Sequence, residues 1–394
     1  MSSTLAEAPS QPERAPRVDA LTGLRFLAAL AVVLSHVGPP PGAGPILTTF
    51  VGSCYGGVTI FFVLSGFVLA HNYFDRYAKR PNLRLLRSFF VARLARVYPL
   101  YLVWLSWVAL GVLPKLKLHE REVLWTHVLA LQAWSPSLKD AFGFNSPGWS
   151  ISVEFFLYAC FPPLVLLLAP ITRRIRWTWL ALAVVALAMI GAAAYFHFSG
   201  RALLPYENPD SAHRWLYRHP ATRLGDFMLG ILAARLVRLR EPPAELSASA
   251  LAAASLLVLL GLMSWPSHFK TAPSWDVSFA LPAACLIFAL ASAPHAALAR
   301  LLSSKPLLLL GEASYALYIC HYTLLKLLGL KRTPTAYWLP TCALSIGLVI
   351  ALSVGLHVTL EKPCRSFLRW LLDPAARVKA RQREPQLAPA PEVS

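Results

Sequence analysis

The sequence predicts an all-α, polytopic membrane protein, a bundle of about ten transmembrane helices. Three observations predict it. Of the 394 residues, 56% are apolar and only 14% are charged. The apolar residues fall in runs that approach or exceed ~18 positions, enough to cross a bilayer core. The basic residues gather between these runs. A formal charge of +18 would suit a nucleic-acid binder if it formed one patch. Here its placement in alternate loops follows the positive-inside pattern, so no nucleic-acid partner is expected.

The predicted spans lie near residues 20–37, 56–74, 95–113, 150–169, 177–197, 220–238, 247–265, 276–292, 307–329 and 337–360. The segment Val123 to Trp134 is apolar but too short to span, and reads as an interfacial or re-entrant piece of a long loop. Charge tests this topology. With the N-terminus inside, 24 Lys and Arg fall in cytoplasmic segments and 10 in outer loops. Counting Val123 to Trp134 as a span would reverse every later loop. Both termini are therefore expected in the cytoplasm, with the protein in the inner membrane. Residues 1–16 and 373–394 are Pro-, Ala- and charge-rich without periodicity and read as disordered tails flanking one membrane domain, 17–372. No cleavable signal peptide is recognised at the start. The six cysteines form no CxxC and read as small core residues; no metal site is expected.

The first span carries Arg25 and His36. Eleven residues at 100° each make three turns plus about 20°, so both project from one face, separated by a rise of roughly 16 Å. A cation and an imidazole on one stripe of a membrane helix usually face protein or a wet cavity. The alternative is that Arg25 snorkels and His36 sits at the far interface. The second span contains Ser65-Gly66 amid bulky residues, a mark of close helix packing, with a lining role for Ser65 as the other option.

Arg93 and Arg96 form an i,i+3 pair before Tyr98-Pro99, on one face as the third span enters the membrane. They suit either a topology anchor or, with Arg25 at similar depth, a multiply charged phosphate ligand. Ser146-Pro147 opens the fourth span, which carries Trp149, Ser150 and, two turns in, Glu154. A lone carboxylate there needs a cation, a hydrogen bond or a functional reason. In the ninth span Ser314, Tyr318 and His321 share one face; His321 reads equally as a core or an active histidine. Depth counted from helix starts puts His36, Glu154 and His321 in the outer half and the three arginines in the inner part. That layering suits a long ligand with an anionic head inside and a reactive end further out.

Taken together, these stretches resemble the acyltransferase-3 family of membrane proteins, which acylate carbohydrates and natural products. The resemblance covers most of residues 17–365. It rests on Arg25-x10-His36, Phe-Phe-Val-Leu-Ser-Gly-Phe at 61–67, Arg93-x-x-Arg96 with Tyr98-Pro99, Ser-Pro-Gly-Trp-Ser-Ile-Ser-Val-Glu at 146–154, Ser-Tyr-Ala-Leu-Tyr-Ile-Cys-His at 314–321 and Glu-Lys-Pro at 361–363. It implies a catalytic His36, with Arg25, Arg93 and Arg96 contacting coenzyme A, and Tyr98 beside them. The donor is then acyl-CoA, acetyl-CoA in the simplest case, as a co-substrate and not a resident cofactor. The expected acceptor is a hydroxyl of a carbohydrate or glycosylated natural product, contacted by Trp149, Ser150, Ser314, Tyr318 and His321. Glu154 is expected to orient an imidazole. A proton-coupled transporter of an anionic or acylated substrate is the competing reading, since buried Arg, His and Glu suit it too; against it, no internal repeat is visible. Neither Glu312 nor His357 receives a role, and the oligomeric state is not legible.

Overall fold

The computed structural model describes residues 18–79, 81–112, 114, 117–239, 244–329 and 334–373. Apart from Asp373, both predicted tails lie outside the described residues. Among those described there is no strand. The helices are α1 (Asp19–Val37), α2 (Pro45–Ser53), α3 (Gly57–Lys79), α4 (Leu83–Leu110), α5 (Leu118–Val128), α6 (Leu138–Ala141), α7 (Trp149–Ile171) and α8 (Ile175–Phe198). They continue as α9 (Leu224–Leu239), α10 (Glu245–Ser264), α11 (Val277–Ser292), α12 (Ala297–Leu302), α13 (Lys305–Glu312), α14 (Ser314–Leu327), α15 (Trp338–Leu356) and α16 (Lys362–Leu372).

A helix stands in each of the ten predicted ranges. Among the described residues, seven helical stretches are long and apolar enough to cross a membrane: Asp19–Val37, Pro45–Lys79, Leu83–Leu110, Ser146–Ile171, Ile175–Phe198, Glu245–Ser264 and Thr335–Leu372. The other three predicted spans are shorter or broken. α9 and α11 have 16 residues each, about 24 Å of helix. The ninth divides at Ala313 into α13 and α14.

α3 and α9 form the centre. Gly66 lies so close to α9 that a methyl on it would fall 2.0 Å from the Phe227 carbonyl oxygen, and one on Gly230 would fall 2.0 Å from that of Val63. Small residues on both helices thus let two backbones meet, as membrane helices do where burial of apolar surface gives no extra driving force. On the outside, α8 exposes Leu180, Val184, Leu187 and Ile190, with 46–66% of each accessible. They follow helical spacing on one face that only lipid would cover.

The loop between α4 and α7 explains where α7 begins. α5 is 11 residues long and does not span. After it the chain turns into the bundle, where Gln132 is fully buried and donates to Gly148 O at 2.6 Å and to the Tyr101 hydroxyl at 3.1 Å. Asn145 Nδ2 donates to Ile319 O at 3.0 Å. Arg218, also fully buried, caps Ser135 O and Pro136 O at 2.7 and 2.8 Å. Each satisfies a loop carbonyl that water cannot reach. The loop folds into the bundle, and α7 starts inside it.

A second polar knot closes the same end. Arg223, fully buried, reaches Asp226 and Asp276 at 2.8 Å each, Tyr217 O at 2.7 Å, Thr59 Oγ1 at 3.2 Å and Trp275 O at 3.2 Å. It ties α3, α9 and the entry to α11 together. A buried guanidinium needs this saturation of its donors to offset its lost hydration.

Candidate active site

A cavity of about 80 Å3 lies between α1, α3, α4, α7 and α14. Arg25 enters it from α1 and Arg93 and Arg96 from α4. Ser150, Glu154 and Tyr158 enter from α7, and Ser314, Tyr315 and Tyr318 from α14. The far wall is α3, through Phe61, Phe62 and Ser65 among others. Adjacent residues on α3 thus divide two tasks: Ser65 lines the cavity and Gly66 packs against α9.

The cavity is electropositive. Three guanidiniums share it with one carboxylate, and Arg96, Glu154 and Arg93 are the charged side chains that act on Arg25. Glu154 accepts a hydrogen bond from the Tyr158 hydroxyl one turn on. The Arg93 guanidinium lies over the Tyr73 and Tyr158 rings, 5.7 and 6.0 Å from their centroids, and its Nε is buried without a hydrogen-bond acceptor. Three guanidiniums against one carboxylate, with the buried Arg93 Nε still open, suit an anion.

His36 is not part of the cavity lining. It stands one side chain beyond it, paired with His321: His36 Nδ1 lies 3.3 Å from His321 Nε2, with ring centroids 5.0 Å apart. Tyr318 connects the two places. It lines the cavity, and its ring centroid is 5.9 Å from that of His321. Both imidazoles are set by main-chain carbonyls one helical turn back. His36 Nδ1 is 2.9 Å from Val32 O, and His321 Nδ1 is 2.7 Å from Tyr318 O and 3.2 Å from Leu317 O. A carbonyl can only accept, so each Nδ1 carries a hydrogen. His321 Nε2 faces the His36 Nδ1–H and is placed to accept from it.

The predicted layering needs one correction. Glu154 shares the cavity with the arginines and not the outer layer with the histidines. The Asn145–Ile319 bond explains it. The entry to α7 lies at the level of Ile319, so Glu154, five residues after the first residue of α7 and about 8 Å further in, comes level with Ser314 at the start of α14. The orienting role expected of Glu154 toward an imidazole belongs in this geometry to the main chain and to His321. Two expected ligand contacts also lie elsewhere. The Tyr98 hydroxyl donates to Val128 O at 2.5 Å, holding the loop between α4 and α7. Trp149 is buried among Phe62, Phe142 and Tyr217, its ring centroid 4.9 Å from the last. Ser150, Ser314, Tyr318, Arg25, Arg93 and Arg96 all reach the cavity.

Tyr158, Tyr315 and Phe62 are among the lining residues to which the sequence assigns no role. Tyr158 lies four residues after Glu154, a helical i,i+4 relation that could have nominated it. Tyr315 donates to Val97 O at 2.6 Å across to α4, and Phe62 lines the cavity from α3; both lie in stretches that carry the family resemblance, 314–321 and 61–67, but nothing in those stretches singles out either side chain. Beside His36, the Tyr322 ring completes an aromatic wall at 5.2 Å.

Known proteins share this plan. The family model described as an acyltransferase domain, acyltransferase-3, matches residues 18–358. The chain is 31% identical to acyltransferase MdmB of Streptomyces mycarofaciens over 381 residues, 91% of this chain and 94% of that one. It is 25% identical to O-acetyltransferase OatA of Staphylococcus aureus over 328 residues, 77% of this chain but only 50% of that longer protein. No solved structure matches the chain. A match across nearly the whole membrane domain, with apolar helices throughout, shows that the chain belongs to the acyltransferase-3 family and is a membrane O-acyltransferase.

Proposed function

We propose that the protein moves an acyl group, acetyl in the simplest case, from acyl-CoA to a hydroxyl of a carbohydrate or glycosylated natural product, with His36 as general base. One observation carries the reading: an arginine-lined cavity ends, beyond Tyr318, at an imidazole whose Nδ1 is fixed by Val32 O and faces His321. The rise from Arg25 to His36 along α1, roughly 16 Å, is of the order of a pantetheine arm. The donor's phosphates would rest on Arg25, Arg93 and Arg96, and its thioester would stand near His36. This fits a donor entering from the cytoplasm, both chain termini on that side, and an acceptor arriving from the outer side or the membrane of the cell's inner membrane.

The acceptor hydroxyl attacks the thioester carbonyl. The new C–O bond forms as His36 Nε2 takes the hydroxyl proton, and the C–S bond then breaks, the thiolate receiving that proton from the imidazolium. Charge on His36 is stabilised through Nδ1, whose hydrogen points between Val32 O and the His321 Nε2 lone pair. His321 thereby takes the orienting position that a carboxylate fills in a hydrolase triad. Direct transfer in a ternary complex is the simplest course, since no serine or cysteine stands in a nucleophile elbow.

The test is His36→Ala in purified protein, with free CoA release measured in the presence of acceptor. General-base removal predicts a loss of about 10²–10⁴-fold with acyl-CoA binding retained. Transfer at near the native rate would refute His36 as the base. Binding without acceptor-dependent CoA release by the native protein would refute transfer from this donor.

A further inference from the structure

The sequence reading left the C-terminal helix without a role. α16 lies along the first half of α4, and two ties fix its register. Ser88 Oγ donates to Asp373 Oδ2 at 2.8 Å, and Arg87 Nη2 donates to Leu372 O at 3.2 Å. The helices run antiparallel, because the end of α16 meets the start of α4. Eight residues back from 373 is Arg365 and eight residues on from 88 is Arg96. Each is about 12 Å from the tie, so the two arginines stand opposite one another. The charges around Arg365 agree: Arg96 acts on it most strongly, followed by Glu361, Arg369 and Glu312.

The helix is built to keep Arg365 there. At 100° per residue, Phe367, Trp370 and Leu371 fall within about 100° of arc, opposite Arg365. They are 59%, 50% and 41% exposed, a face suited to the bilayer surface. The opposite face is turned to α4, and Arg365 is half-buried on it. Glu361, the carboxylate one turn before, is committed to His357 Nδ1 at 3.0 Å, with both side chains buried. Two guanidiniums from separate helices are thus held at one level, one of them already in the cavity wall. Glu361 and Glu312 offset part of the repulsion between these like charges, and an anion lying between the two guanidiniums would offset more of it.

We propose that Arg365, together with Arg96, binds the 3′-phosphate of the acyl-CoA donor. The inference rests on the donor reading above. The order of groups along CoA assigns the phosphates. The thioester and pantetheine point to His36, the pyrophosphate follows at Arg25 and Arg93, and the ribose 3′-phosphate comes last, beside Arg96 where α16 closes over it. A phosphomonoester carries close to two negative charges at neutral pH, which two guanidiniums match. An anionic lipid headgroup offers the same phosphate chemistry, and the experiment separates the two.

Acetyl-CoA and 3′-dephospho-acetyl-CoA are titrated into the full-length protein in phosphatidylcholine nanodiscs, and again with phosphatidylglycerol added. The native protein is expected to bind acetyl-CoA about tenfold more tightly than the dephospho form, roughly one charged hydrogen-bonded contact. Arg365→Gln is expected to erase this preference by weakening acetyl-CoA alone, and Arg365→Lys to retain part of it. Equal weakening of both thioesters in Arg365→Gln, or an undiminished preference, would overturn the proposal. So would a preference lost only in discs containing phosphatidylglycerol, which would identify a lipid site. Equal binding of both thioesters by native protein overturns this inference but leaves the donor reading intact; binding of neither overturns both.

Discussion

Replacing Gly66 with alanine tests how the cavity wall is held. The added methyl would fall 2.0 Å from the Phe227 carbonyl oxygen and 2.9 Å from its carbon. A carbon resting against a carbonyl oxygen needs about 3.3 Å, so α3 and α9 must part by about 1.3 Å at this point. Nothing nearby yields easily: Phe67, Phe227, Leu229 and Ile231 are all fully buried. Overpacking of this kind costs about 1–3 kcal/mol. The same displacement carries Phe62 and Ser65, and misplacement by about 1 Å near a reacting centre lowers rate by up to ~10²-fold. Thermal melting in detergent is the assay, with Gly191→Ala as the reference. A methyl at Gly191 meets nothing within 4 Å, and alanine favours a helix by about 1 kcal/mol over glycine. Gly66→Ala should melt well below the native protein and Gly191→Ala at or above it. A Gly66→Ala protein that melts with the native one would show that α3 and α9 do not depend on this contact.

Other expectations follow from the same geometry. Replacing Arg93 and Arg96 together with alanine should weaken acyl-CoA binding by about tenfold or more in a protein that stays folded; unchanged affinity in a binding titration would reduce them to topology anchors. Arg223→Ala should destabilise by about 3–5 kcal/mol, because it strands Asp226 and Asp276 in a buried site; a melting curve like the native one would contradict that. His213, in the segment before α9, is held down to about 3 by burial and by the nearby Arg218, Lys270 and Arg223. The unfolded chain takes up a proton there near pH 6.5 while the folded one does not. Its stabilising contribution is therefore complete above pH 6.5 and falls steadily as pH drops toward 3. His213→Phe should flatten that part of a stability-against-pH profile, and an unchanged slope would refute the assignment.

The sequence by itself determined the class of fold and the family, and placed a helix in each predicted range, though not its length or continuity, because bilayer crossing imposes length and apolarity locally. It also selected Arg25, Arg93, Arg96, Ser150, Glu154, Ser314 and Tyr318, all of which the structure gathers in one cavity, since a polar residue inside an apolar helix is conspicuous without any knowledge of its neighbours. What it could not supply was relative depth. Counting from helix starts assumed that every helix begins at a membrane surface. α7 begins within the bundle, because Gln132 and Asn145 draw the loop before it inward through bonds to Gly148 O and Ile319 O. Those contacts join residues 16 and 174 positions apart, and no periodicity encodes them. For the same reason Glu154 met the arginines, His321 met His36, and Tyr98 and Trp149 turned to packing. The antiparallel register that sets Arg365 against Arg96 was likewise decided only when the two ends of the chain came together.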